Sequence, residues 1–224
     1  MKLKVFCLAM AAVGLCLAAC SDDGEEKKEV EVTTNAISNG DYTAYDSWTY
    51  INLETGATET QEDATEWVYT DGTTRAAYTP SALSIDWHIA IHRYEIKTNG
   101  GEVYDTGLTS MSAVTSRPSG VTYMADTTVP YGTGDLEVIT DMSKMMSGSV
   151  GYAANPQLNT VLCGWVVRTE TGSMPPTIYT PTDHVYVVTF DDGSWAKLQF
   201  SYAGNTTSGS SGYITWNYEF YSAE

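Results

Sequence analysis

Alternation of apolar and polar residues recurs along the chain from about residue 84 onward. In Ser84-Ile85-Asp86-Trp87-His88-Ile89-Ala90-Ile91-His92-Arg93-Tyr94, Ile85, Trp87, Ile89 and Ile91 take every second place, which puts one apolar face on an extended strand. Asn99-Gly100 then supplies a turn. His184-Val185-Tyr186-Val187-Val188-Thr189-Phe190 runs into Asp191-Asp192-Gly193, and Ser194 to Tyr202 returns, a hairpin on an Asp-Gly turn. Gly212 to Tyr221 alternates again and is placed to close the sheet. Val161 to Val167 and Leu136 to Ile139 are further strand candidates. Helical spacing is scarce, so the pattern predicts an all-β architecture with sheet packed on sheet.

The N-terminus follows different rules. Lys2 and Lys4 precede an apolar run from Val5 to Leu17, too short to span a bilayer and followed by small residues, as in a secretory signal. Ala18-Ala19-Cys20 resembles the lipobox of bacterial lipoproteins, which implies that residues 1–19 are removed and that Cys20 carries lipid as the first mature residue. Ser21-Asp22-Asp23-Gly24-Glu25-Glu26 has no apolar residue and reads as a solvated tether. It also resembles the acidic export signal of surface lipoproteins in Bacteroidetes. From about residue 38 onward there is neither linker nor repeat. The expected organisation is therefore a signal peptide over 1–19, a disordered acidic tether over 20–38 and one domain over 39–224. A domain of about 185 residues buries roughly 70% of its unfolded surface, enough to stand without staples.

Charge and cysteine usage narrow the function. The 11 basic residues face 28 acidic ones, a formal charge of −17. Loss of Lys2 and Lys4 with the signal leaves 9 against 28, or −19. With no basic excess to displace counterions, nucleic acid is not expected as a partner. Of the 4 cysteines, only Cys163 remains inside the domain, so no disulfide framework and no Cys-based zinc site is available. No G-x-S-x-G elbow or phosphate loop occurs, and an enzyme is not expected.

His88 and His92 stand about 13 Å apart on a continuous strand and cannot share a metal there. Together with His184 they read as structural or surface residues. The methionines say more. Met142, Met145 and Met146 cluster in Asp141-Met142-Ser143-Lys144-Met145-Met146-Ser147-Gly148, and Met174 sits in Thr171-Gly172-Ser173-Met174-Pro175-Pro176. Both are Gly/Ser/Pro-rich loops, where a core gap-filler is out of place. A thioether is a soft, neutral ligand suited to haem iron or Cu(I). Two such loops can hold a flat macrocycle between them; the alternative is Met tucked beneath its own loop. Trp48, Trp67, Trp165, Trp195 and Trp216 offer a second possibility, stacking platforms for a glycan in a β-sandwich surface lipoprotein, although Trp87, Trp195 and Trp216 sit in strand patterns that favour the core.

Three blocks resemble one family. Asp86-Trp87-His88-Ile89-Ala90-Ile91-His92-Arg93-Tyr94-Glu95-Ile96-Lys97-Thr98-Asn99 is similar to the Trp-Asp-x-Ala-x-His-Arg-Tyr-Asp-x-x-x-Asn signature of the HmuY haem-binding lipoproteins. Tyr45-Asp46-Ser47-Trp48-Thr49-Tyr50 resembles the first strand region of those proteins, and Trp195-Ala196-Lys197-Leu198-Gln199-Phe200-Ser201-Tyr202 their Ala-Lys-Val-Gln-Phe-Thr-Tyr segment. The resemblance implies a single all-β domain of antiparallel sheets that holds one haem between two loops through two axial side chains. It further implies a haemophore on the outer membrane, anchored, shed or carried on vesicles, which hands haem to a TonB-dependent outer-membrane receptor.

In the family's best-known member the axial residues are histidines. The corresponding loops here hold methionines: Met145 and Met146 between Leu136–Ile139 and Trp165, and Met174 between Trp165 and the His184 strand. The resemblance therefore points to Met145 with Met174 as axial ligands, Met146 as the close second and His184 as a backup. Lys144 and Arg168 are candidate contacts for the haem propionates. A thioether pair predicts a preference for ferrous over ferric haem.

Overall fold

The computed structural model describes residues 31–130, 140–175 and 177–223. The signal segment 1–19, Cys20 and the strand candidate Leu136–Ile139 lie outside the described residues. In chain order the strands are β1 (Val32–Asp41), β2 (Ser47–Ile51), β3 (Thr58–Glu62), β4 (Trp67–Tyr69), β5 (Thr74–Arg75) and β6 (Ile89–His92). Then come β7 (Glu95–Thr98), β8 (Glu102–Asp105), β9 (Met124–Ala125), β10 (Thr127–Thr128), β11 (Thr140–Asp141), β12 (Gly151–Ala153) and β13 (Gln157–Leu158). A helical turn α1 (Thr160–Cys163) precedes β14 (Val166–Glu170), β15 (Thr177–Pro181), β16 (Val185–Thr189), β17 (Trp195–Ala203) and β18 (Tyr213–Tyr221).

The largest sheet runs β1-β18-β17-β16-β8-β9. Two four-stranded sheets run β3-β2-β6-β7 and β11-β12-β4-β5, with two-stranded ribbons β10-β13 and β14-β15. Every pairing among the described residues is antiparallel. The all-β class and antiparallel sheets expected from the sequence are what the structure contains.

Three local expectations need correction. Residues 32–38, placed in the tether, belong to β1, which pairs with β18 from Val32↔Tyr221 to Asp41↔Tyr213. Its alternation is carried by Thr, Asn and Ser, which a hydrophobic pattern does not register. Ser84–Tyr94 is not one strand. β6 covers only its end, Arg93 adopts φ 50° in a tight turn, and β7 returns with His92 opposite Glu95. Val161–Cys163 is helical rather than extended, because the Asn159 side chain accepts from Leu162 N at 3.0 Å and caps the turn. The Asp191-Asp192-Gly193 hairpin joins β16 to β17 as expected, with Val185↔Gln199 and Thr189↔Trp195 in register.

Four tryptophans anchor the core. Trp48, Trp67, Trp165 and Trp216 are fully buried, and each finds an acceptor for its indole N–H, as burial requires. Trp48 and Trp67 donate to the same carboxylate, Asp63, at 2.5 and 3.0 Å. Trp165 donates to Tyr94 O at 3.0 Å, and Trp216 to Tyr42 Oη at 3.1 Å. Burial would push the Asp63 carboxyl up, but hydrogen bonds from Thr65, Trp48 and Trp67 outweigh it and hold the group below its ordinary range. These four rings are therefore closed to a glycan, and of the five proposed platforms only Trp195 keeps part of its surface, stacked 4.0 Å from Tyr221. The stacking-platform reading of Trp48, Trp67, Trp165 and Trp216 is corrected accordingly.

Candidate functional site

Two hairpin loops project from this scaffold. The first joins β11 to β12. Asp141 opens it by accepting from Ser143 N at 2.8 Å, and Met145–Ser147 then form a single 3-10 turn. Gly148 stops that turn in the left-handed region at φ 83°, where a side chain would be strained. The chain re-enters the sheet at Gly151, opposite Tyr69. A Cβ on Gly151 would sit 2.5 Å from the Tyr69 ring, so only glycine lets the ring lie across the strand. Lys144 lies over the same ring, Nζ 5.3 Å from its centroid.

The second loop joins β14 to β15. Thr171 organises it, its Oγ1 accepting from Ser173 N at 3.1 Å and donating to the carbonyl of Pro175. Thr177 Oγ1 donates to Glu170 at 2.9 Å where the strands meet. The ribbon below aligns Arg168 with Tyr179.

Between the loops lies a cavity of about 270 Å³. Met142 and Thr140 line it from the first hairpin, Pro175, Tyr179 and Arg168 from the second, with Arg93, Tyr94 and Glu95 at the base. Tyr94 and Tyr179 stack with centroids 4.2 Å apart, and burial raises the Tyr94 phenol above its usual range. Glu95 is buried and holds two partners: Arg168 Nη2 on the cavity side and His92 Nδ1 at 3.2 Å behind. Burial opposes its ionisation, but the His92 bond and the Arg168 charge prevail, so the carboxyl stays below the ordinary range.

The predicted site residues fall on these loops with their side chains in solvent. Met146 is 95% exposed, Met174 88% and Met145 49%. Large apolar side chains at such exposure on two facing loops are out of keeping with a packing role. The alternative of Met tucked beneath its own loop is not what Met146 and Met174 do. Met142, from the same cluster, is the thioether that lines the cavity itself.

All three histidines are engaged within the fold. Both ring nitrogens of His92 face acceptors, Tyr45 O at 2.7 Å and Glu95 at 3.2 Å, with Trp48 and Trp67 alongside. His88 Nδ1 accepts from Leu53 N at 3.0 Å, and burial lowers its pKa. His184 Nδ1 meets Asp105 at 3.0 Å at the start of β16 and does not line the cavity. Among the described residues no group of three or more His, Cys, Asp or Glu side chains is placed to hold a metal ion.

Sequence reasoning missed the base of the cavity. Arg93, Tyr94 and Glu95 sit inside an apparent strand, and Tyr45 and Ser211, which also line the cavity, come from distant loops. Arg93-Tyr94-Glu95 lie within the block that carries the family resemblance, which is the one signal that marked them.

The comparisons agree with this architecture. The HmuY protein family profile matches residues 44–218. The apo HmuY analogue of Tannerella forsythia is 36% identical, with a TM-score of 0.70 over 88% of this chain and 98% of its own. A Bacteroides fragilis protein described as a lipoprotein is 31% identical, with a TM-score of 0.60 over 84% of this chain and 88% of its own. A Bacteroides vulgatus protein described as HmuY-like and haem-binding is 28% identical, with a TM-score of 0.61 over 84% of this chain and 90% of its own. No curated protein sequence matches. With the profile spanning most of the domain and the same fold recurring over nearly all of each relative, the chain belongs to the HmuY family.

Proposed function

We propose that this protein captures haem in the cleft between its two hairpin loops, with Met145 and Met174 as the axial ligands of the iron. The observation that carries the reading is the pair of loops, one bearing Met145 and the other Met174 with both thioethers exposed, whose neighbouring residues Met142 and Pro175 line one cavity. Family membership and the haem-binding description of the Bacteroides vulgatus relative support it. The donor chemistry fits: thioethers are soft and uncharged, and the aromatic pair Tyr94–Tyr179 gives an apolar surface for a flat ring. A cavity of about 270 Å³ lies below the roughly 300–1,000 Å³ of ligand sites, so in this reading the hairpins open to admit the ligand and close on it. Loops with few buried contacts open at low cost, which suits a protein that must also release its cargo.

In this reading the protein binds, retains and transfers, and catalyses no reaction. Thioether ligation favours ferrous haem over ferric. Cys20 carries the lipid that anchors the chain to the outer membrane, with the domain on the cell surface or released on shedding and in vesicles. The acceptor of the haem is a TonB-dependent outer-membrane receptor.

The test is a visible absorbance titration with haemin, with and without dithionite, on the wild type and on Met145→Ala, Met146→Ala and Met174→Ala. The expected result is a low-spin ferrous spectrum that saturates at one equivalent and is lost in Met145→Ala and in Met174→Ala. Loss in Met146→Ala with Met145→Ala unaffected shifts the first ligand by one residue. Absence of a spectrum in either redox state ends the haem reading.

A further inference from the structure

The cavity wall concentrates positive charge in a protein that has little. The chain has four arginines and a formal charge of −17, yet Arg93 and Arg168 both line this one cavity. Each is held in place. Arg168 Nη2 donates to the buried Glu95, which His92 holds from behind, and the guanidinium lies 5.9 Å from the centroid of Tyr179. Arg93 adopts φ 50°, a conformation unfavourable to a residue with a side chain. Its nitrogens donate to Thr43 O and Ser211 Oγ at 2.9 Å, and its guanidinium covers the Tyr45 ring at 4.1 Å. Backbone strain and a buried carboxylate are costs that a purely solvent-facing arginine does not need. A guanidinium presents five N–H donors in a planar fork, the shape that meets a carboxylate with two bonds.

We propose that Arg168 and Arg93 form a carboxylate-binding wall that selects tetrapyrroles carrying free propionates, Glu95 acting as the positioning residue for Arg168. The proposal rests on the haem reading of the same cleft and adds which part of the ligand is recognised. The overall negative charge of the protein repels a dianionic ligand, whereas at the cavity two fixed guanidinium groups outnumber the one lining carboxylate, Glu95, and leave the wall locally positive. Discrimination follows from pairing: an esterified propionate offers no charge to the guanidinium and leaves it facing an uncharged group.

The test compares haem with haem dimethyl ester by absorbance titration of the full chain under dithionite. The wild type is expected to bind the diacid more tightly by about tenfold to a hundredfold, the worth of one charge-assisted pair. In Arg168→Leu that ratio falls towards one, because the diacid loses the charge-assisted pair and the ester does not. Arg168→Lys, which restores the charge without the fork, recovers part of the ratio. Because Arg168→Leu leaves the Glu95 carboxylate buried and unpaired, the double variant Glu95→Gln with Arg168→Leu is measured alongside and is expected to show the same collapse. Equal affinity of the wild type for diacid and ester overturns the proposal without any variant, as does an equal loss for both ligands in Arg168→Leu. Failure of the wild type to bind either ligand overturns the haem reading beneath it.

Discussion

The tryptophan core and the methionine loops spend apolar surface in opposite ways. Around Asp63 the chain buries Trp48 and Trp67 completely and matches both indole N–H groups to one carboxylate. At the two hairpin loops it leaves Met146 and Met174 almost wholly in solvent. Burying a large aromatic ring gains several kcal/mol, and an unpaired polar group inside costs a comparable amount, so the core is fixed by energy. An exposed methionine contributes next to nothing to folding. The difference teaches where each region's purpose lies: the core holds the frame, and the loops keep side chains available for something outside the chain.

The sharpest way to break that comparison is to remove a ring from the core. Trp216→Ala should destabilise the fold by about 3–5 kcal/mol in urea or thermal melts, the usual cost of deleting a packed aromatic. A loss below about 1 kcal/mol would mean that the core tolerates a cavity and that its packing is not what holds the frame. Next in size is Asp63→Ala, which leaves the indoles of Trp48 and Trp67 without their acceptor; about 3 kcal/mol is expected. Because the Asp63 carboxyl titrates below its unfolded value, its contribution is present at neutral pH and is lost as pH falls through the folded pKa. The difference between wild type and Asp63→Ala should therefore shrink on acidification, and a difference that does not change with pH would argue against an ionised Asp63.

How much of this was legible in the sequence follows the same divide. β16, β17 and β18 are long, alternate strictly and are punctuated by Asp191-Asp192-Gly193, so pattern alone places them. β1 escapes because its inward positions are Thr33, Asn35, Ile37 and Asn39, of which only one is apolar. The turn at Arg93 escapes because no glycine or asparagine marks its φ of 50°; tertiary contacts to Thr43, Ser211 and Tyr45 hold it. The methionines were legible as misplaced apolar residues in loop sequence. The Glu95–Arg168 pair, 73 residues apart, was not, since nothing local joins β7 to β14.

A smaller effect separates the two regions through pH. Lys97 reaches across Ala90 to the opposite strand, with Nζ 4.2 Å from the Trp48 ring centroid and 3.3 Å from Tyr50 Oη. Burial pushes its pKa down to about 8, with Asp63 and Asp126 pulling the other way. An unfolded lysine titrates near about 10.4, so from about pH 8 upward the unfolded chain binds more protons and stability rises. Tyr42, Tyr50 and Tyr186 act in the opposite sense: burial lifts each to about 12. Above about pH 10 the unfolded chain loses phenolic protons that the folded one keeps, and stability falls. The buried Cys163 thiol, also lifted to about 12, adds to that fall from about pH 8.5. In melts across about pH 7 to 11 the Lys97 contribution should therefore show as a stability of the wild type that rises relative to Lys97→Met between about pH 8 and 10, while both fall above about pH 10.

The smallest expected effect decides whether the loops are free of structural duty. Met145→Ala and Met174→Ala together delete two thioethers that make little contact with the frame, at 49% and 88% exposure. Substitutions at such positions typically stay within about 0.5 kcal/mol, so the melting curve of the ligand-free double variant should overlay that of the wild type. Added ligand should then separate them. A molecule that binds only the folded state raises its stability by about 2.7 kcal/mol at a hundredfold excess over Kd, and the double variant should forfeit that rise. A destabilised ligand-free double variant would instead place the methionines within the packing of the loops, and the contrast between the two regions would disappear.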